Sequence, residues 1–419
     1  MKTDHKKSKH PIVKITLLSI VVAVILAGVI FMRFGGFGTG ESLDTKELST
    51  YSKPVEDIQI PENAQMIALG EASHGNVEFQ KLKLDVFQVM VEKYHVRAFA
   101  LEGDYGGCEQ VNRYIHGGKG TAKEAAEAIG FDIYRTKEME ELISYMRTYN
   151  ETAATGEDLR FYGFDMQSYS KSYQFLVEAC KQAGIDTTEL EKLMDGDAWS
   201  KEYDVSVQKE VISGIREELK KRENAAQGVH FADVLLQNYQ LGDVLQNQAD
   251  YAIQRDKMMK DNVLWIAGQE KERGCQKIFI SGHNDHIAKQ GIYDVMGKLL
   301  NDELGDAYYA IGTDFYKSCC NVPKSNGKRS NQVFYSHDAI AKTAKQAGLK
   351  ECWLDFKQVP KETELAKQIK QPMYMGSLGE GYAFYMRLYP SSYRKHRVPE
   401  KMYDGMIFVP DATPIEIQK

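Results

Sequence analysis

From residue 60 onward, short apolar runs alternate with amphipathic stretches, the pattern of a parallel sheet joined by crossover helices. Met66-Ile67-Ala68-Leu69 is a compact strand running into Gly70 and Glu71. Phe79, Leu82, Val86, Val89 and Met90 then recur at helical spacing and predict a helix over 77–94. Residues 98–101 read as a second strand ending at Glu102, 136–149 as a helix, and 160–164 as a third strand ending at Asp165. The stretch 168–272 is different: rich in Glu, Lys, Gln and Leu and almost free of strand signal, it predicts a helical insertion. Strand character resumes at 277–280, ending in Ser281-Gly282-His283, and again at 308–312. Residues 333–335 and 406–409 are weaker strand candidates. The class is therefore α/β, a mainly parallel sheet flanked by helices.

The N-terminus breaks this pattern. Residues 15–32 are uncharged and apolar, bracketed by Lys14 and Arg33. As a helix they span roughly 27 Å, close to the thickness of a bilayer's hydrocarbon core. Lysines precede the run, so the positive-inside rule puts a basic tail (1–14) in the cytoplasm and everything after about residue 34 outside. A cleaved signal peptide is the competing reading, but it has a shorter apolar region and a small-residue cleavage site, and neither is evident. The expectation is a single-pass signal-anchor in the cell membrane carrying an extracellular domain. Gly35-Gly36-Phe37-Gly38 opens a flexible linker over 33–59, the main domain covers 60–411, and 412–419 form a tail.

Charge agrees with this division. Residues 1–33 hold six basic side chains against Asp4 alone, a balance of +5; the whole chain is −6, which leaves −11 on the rest. An acidic body lacking a basic stripe argues against a nucleic-acid partner. The six cysteines match no zinc spacing and are expected as buried free thiols. Oligomeric state is not encoded in any feature of the sequence.

The informative chemistry is positional. Glu71, Glu102, Asp165 and His283 each end a strand, and parallel sheets bind ligands beyond the carboxyl ends of their strands. Glu71 and His74 share a strand-to-helix turn, Gly70-Glu71-Ala72-Ser73-His74-Gly75, with the N-terminus of the next helix pointing free N–H groups at the same place. That suits a base orienting water against a carbonyl. Helix capping by Glu71 and Ser73 would account for one of them, but not for the histidine beside them. His283-Asn284-Asp285-His286 forms a second cluster, able to supply a base and an acid or, with the carboxylates, to ligate a metal. There is no HExxH motif, Ser73 does not sit in a G-x-S-x-G elbow, and His116-Gly117-Gly118-Lys119 lacks P-loop spacing.

The block LGEASHGNVEFQKLKLDVFQVMVEKYHVRAFALEGDYGGCEQVNRYIHG, residues 69–117, resembles the opening motifs of the erythromycin esterase family. Tyr162-Gly163-Phe164-Asp165-Met166, Arg255-Asp256-Lys257-Met258-Met259, Gly282-His283-Asn284-Asp285-His286 and Tyr403-Asp404-Gly405-Met406-Ile407-Phe408 follow in the family's order. The resemblance implies a helical lobe closing over an active-site cleft and hydrolysis of a carboxylic ester, such as a macrolide lactone, by activated water. By motif, His74 is similar to the general base with Glu71 beside it, Glu102 to the second strand's acid, and His283 to the second essential histidine. Asp165, His286 and Asn284 hold supporting positions. Where the family often has an arginine on the first helix, this chain has Lys83, which keeps the charge but not the two-pronged fork. The expected partner is a small-molecule ester, with no cofactor. A metal held by His74, His283 and the carboxylates is the alternative, and a non-catalytic surface binding protein a third reading.

Overall fold

The computed structural model describes residues 10–36 and 40–418; the first nine residues of the basic tail and the linker residues 37–39 lie outside them. Eight strands form one sheet: β1 (Met66–Glu71), β2 (Ala98–Asp104), β3 (Arg160–Asp165), β4 (Ile278–His283), β5 (Tyr308–Pro323), β6 (Arg329–Tyr335), β7 (Cys352–Asp355) and β8 (Gly405–Ala412). Their order is β3-β2-β4-β1-β5-β8-β7, with β6 hydrogen-bonded to β5. The pairs from β3 across to β8 are parallel, while β7 and β6 add on antiparallel. The mixed, mainly parallel α/β sheet expected from the alternating pattern is thus present.

Every residue of β1, β2 and β4 is buried, as continuous apolar runs covered on both faces must be. Alternate residues serve opposite layers. Ile67, Leu69, Phe99 and Phe279 pack with α2 (Val77–Tyr94), α3 (Tyr105–Ile115) and α4 (Lys137–Thr152). Met66, Ala68, Ala100 and Ile280 face the other layer. That layer is dominated by α5 (Ser170–Gln182), α6 (Val205–Leu219), α7 (Ala226–Asp243) and α8 (Gln248–Glu272), all within the stretch expected to be helical. A two-residue ladder, Met194–Asp195 with Ala198–Trp199, interrupts these helices.

Helix α2 follows the predicted bounds because Phe79, Leu82, Val86 and Met90 bury one stripe. It stops at His95, whose φ of 60° turns the chain out of the helix. The strand β7 and the hairpin Met373–Gly376 with Arg394–Arg397 were not legible in advance, being short and half polar.

The N-terminal helix α1 (His10–Phe34) is long and apolar enough to cross a membrane, and its candidate span Ile15–Phe34 is unburied. The stretch expected as a linker carries structure of its own. Asp44 caps a helix at Thr45–Tyr51, and Leu48 and Ile58 are fully buried. The C-terminal tail is also docked: the Ile415 N–H donates to Gly75 and its side chain is buried.

Candidate active site

Parallel pairing places Glu71 of β1 directly beside His283 of β4. Two glycines allow the close approach. A Cβ on Gly70 would lie 2.1 Å from Asn284 Oδ1, and one on Gly282 would lie 2.9 Å from Glu102 Oε2. A register shift in β2 after Leu101 turns Glu102 toward the same end, where its Oε2 accepts the His283 N–H at 2.7 Å. The result is a cleft of about 870 Å³ lined by His74, Glu102, Asp165, Arg255, His283 and His286, among others.

Glu71 is 1% exposed and uses both oxygens: Oε1 meets His74 Nδ1 at 2.6 Å and Oε2 accepts from Lys83 Nζ at 2.5 Å. Burial alone would raise its pKa, but Lys83 and His74 outweigh that and hold it at about 2. The His74 ring is likewise desolvated, which disfavours charge, yet Glu71, with Glu102 behind it, raises its pKa above 6.5. Since Nδ1 is committed to Glu71, Nε2 is the nitrogen left to work in the cleft.

His283 lies 4.9 Å from His74, ring centroid to ring centroid. Its Nδ1 accepts the Asp285 N–H at 3.3 Å, which assigns the ring proton to Nε2; that nitrogen is buried and has no partner among the described residues. Burial, reinforced by repulsion from His74, pushes the His283 pKa down to about 4. The ring is therefore a neutral N–H donor at the cleft floor.

A second group flanks this pair. Arg255 on α8 donates to both Asp165 oxygens, at 3.3 and 2.6 Å, and to Glu102 Oε1 at 2.7 Å. His286 Nδ1 meets Asp256 at 2.8 Å. Its Nε2 lies 3.0 Å from Arg255 Nη1 and 3.4 Å from Glu102 Oε1. The short arginine distance alone would call for a neutral ring accepting a proton. Burial also opposes charge, but Glu102 and Asp256 raise its pKa to about 9. We assign it as charged, because its two nitrogens face Asp256 and Glu102 while Arg255 is shared between Glu102 and Asp165. Glu102 is held well below the carboxylate range: burial raises it, and His286 and Arg255 more than reverse that.

Of the residues singled out in the sequence, Glu71, His74, Glu102, Asp165, His283 and His286 converge. Lys83 does not line the cleft; it is 1% exposed and neutralises Glu71 from behind. Asn284 is turned away, bonded through its amide to the backbone of Thr313 at 2.7 and 3.1 Å, where it pegs the end of β4 to β5. Arg255 and Asp256 stand in the sequence as part of a motif, without an assigned role. Their signal was a charged pair within a long helix that buries Asp256 completely. Asp285, which accepts from Ser377 Oγ at 2.6 Å, and Ser377 itself gave no separable signal. Ser73 is buried, its hydroxyl donating to Asn76 and touching Cys320 Sγ.

A metal fits this donor set poorly. Each candidate carboxylate already carries a cation, and among the described residues no three His, Cys, Asp or Glu side chains are grouped as a metal cluster. All six cysteines are free.

Among solved structures, the fold is similar to a succinoglycan biosynthesis protein, with a TM-score of 0.74 at 19% identity, covering 89% of this chain and 98% of that one. It is also similar to an erythromycin esterase mutant in its open conformation, with a TM-score of 0.55 at 15% identity, covering 88% and 95%. In sequence, the chain is 23% identical over 353 residues to the erythromycin esterase type II of Escherichia coli, covering 72% of this chain and 83% of that protein. The family model for erythromycin esterase matches residues 91–412, which hold Glu102, Asp165, Arg255, His283 and His286. The chain belongs to the erythromycin esterase family.

Proposed function

We propose that this family hydrolase cleaves a carboxylic ester with water activated by His74. The observation that carries the reading is the pairing of a carboxylate-backed imidazole with a neutral, unpartnered N–H donor 4.9 Å away in one cleft. His74 Nε2 takes a proton from water as the oxygen attacks the ester carbonyl, and Glu71 stabilises the imidazolium that forms. His283 Nε2–H donates to the oxyanion as negative charge grows on it. When the tetrahedral intermediate collapses, the imidazolium returns its proton to the leaving alkoxide. An acid and an alcohol result, with no covalent enzyme intermediate. Ser73 plays no part, since its hydroxyl is spent on Asn76 and Cys320.

The size of the cleft suits a bulky ester, and the name of the Escherichia coli relative makes macrolide lactones the first class to test. Lys83 does not bear on that choice directly, because it sits behind Glu71 and away from the cleft. We place the domain outside the cell, tethered by α1, on the length of that helix and the lysines before it.

The decisive experiment incubates the full chain with macrolides and simpler esters and follows ring opening or cleavage by mass, with His74→Ala as the control. Loss of the general base lowers turnover by at least ~100-fold. A variant that keeps a tenth of the wild-type rate would rule His74 out. No cleavage of any ester by the intact chain would favour a binding role for the pocket.

A further inference from the structure

The C-terminal end of α1 is fastened to the domain. Its last carbonyls, which no helix can satisfy internally, are taken up by side chains from the body. Arg394 donates to the Gly35 carbonyl at 3.1 Å and His337 Nε2 to the Phe34 carbonyl at 2.9 Å. Arg394 also donates to His337 Nδ1 at 3.2 Å, fixing the tautomer, and the Phe34 ring packs 5.1 Å from Tyr335. Gly35 is buried in this joint, with no room for a Cβ beside Tyr393 and Arg394. The helix therefore leaves the domain in a set direction.

Beside the joint, with Cα atoms within 8 Å of α1, lies the turn Phe384–Arg387. With the two residues that follow it, the turn carries the densest apolar exposure on the body: Phe384 is 67% exposed, Tyr385 58%, Leu388 50% and Tyr389 66%. The turn is held rather than loose, since Arg387 donates to Val333 and Gln332 of β6. Four neighbouring apolar side chains open to water mark an interaction surface. Two are tyrosines, and aromatic residues concentrate where a helix leaves the bilayer.

We propose that the 384–389 turn is a second membrane contact, its four side chains entering the headgroup–acyl boundary of the bilayer that α1 crosses. This rests on reading α1 as a membrane span. Continuity selects the occupant: Phe34 is the last residue of the apolar span, so groups packed beside it stand at headgroup level. The seat is apolar rather than electrostatic, because the four exposed side chains that form it are uncharged and the body as a whole carries −11. Ser377, Ser392 and Lys395, on either side of this turn, line the catalytic cleft, so seating the turn also fixes the cleft against the lipid surface.

The test uses the full-length chain in phosphatidylcholine vesicles, with or without bromine on the acyl chains, and compares tryptophan emission from F384W, Y389W and V24W with the unsubstituted background. All three replacements are at exposed apolar positions, where a larger ring displaces no core neighbour. The expected result is loss of the added emission in brominated vesicles for all three. Quenching of V24W without F384W or Y389W would overturn the seat and leave the span standing. No quenching of any would overturn both. Emission that ignores bromine but shifts blue as protein concentration rises would assign the turn to a second copy of this chain, and would equally overturn the proposal.

Discussion

Lys83→Met is the sharpest probe of how the site is built, because it removes one charge and keeps the chain length. Lys83 Nζ lies 2.5 Å from Glu71 Oε2, with both side chains at most 2% exposed. At that distance the attraction is worth about 7 kcal/mol for an effective dielectric of ~20. Removing one partner of a buried pair typically costs about 3–5 kcal/mol, since the remaining charge is left uncompensated. The pH dependence carries the diagnostic. Glu71 is depressed from 4.5 to about 2, so its contribution of about 3 kcal/mol is complete above its ordinary value and is lost as pH falls from 4.5 toward 2. Without Lys83 the carboxylate titrates higher, and the variant forfeits the part of that contribution that Lys83 rather than His74 supplies already at neutral pH. Urea melts of both proteins across pH should therefore show a gap of about 1–3 kcal/mol at neutrality that narrows as pH falls below 4.5. A gap under ~1 kcal/mol at neutrality, or one that stays constant down to strongly acid pH, would refute the assignment of Lys83 as the counter-charge of Glu71.

Three further outcomes are expected. The acid limb of kcat/KM should lie above 6.5, since Glu71 and Glu102 raise His74 and only the neutral ring is a base; Glu71→Gln should move that limb to lower pH, and an unmoved limb would detach it from His74. His283→Ala should lower kcat about 10²–10³-fold, as loss of one oxyanion donor does, while leaving the position of the acid limb within the range set by His74; a variant near wild-type rate would remove His283 from the chemistry. Asn284→Ala should cost about 1–3 kcal/mol in denaturant melts by orphaning the Thr313 backbone groups, yet keep kcat/KM within a few-fold once folded; a catalytic loss without a stability loss would return Asn284 to the cleft.

Much of the architecture was legible because it depends on local patterning. The apolar runs of β1, β2 and β4 must be buried on both faces, and the stripe of α2 announces a helix across it. Strand-end carboxylates and histidines could be named for the same reason, since chain order and the parallel rule bring them to one edge. The short elements escaped: β7 and the Met373–Gly376 hairpin draw their order from neighbours, and nothing in four residues announces it.

By itself, then, the sequence determined which side chains could meet, because hydrophobic periodicity dictates the strands and the strands dictate where their ends fall. It could not determine what each does there, because a role is set by the partner and the partner comes from far along the chain. Arg255, 153 residues from Glu102, makes an ion pair that no spacing foretells. Lys83 stands in the sequence as a replacement for the family's arginine and in the fold is a buried counter-ion, while Asn284 stands in a histidine motif and in the fold is a peg. The difference between His74 and His283, one raised and one lowered, is likewise an electrostatic property of packed neighbours. Burial and charge proximity are tertiary quantities, and in this protein they set the two imidazoles apart.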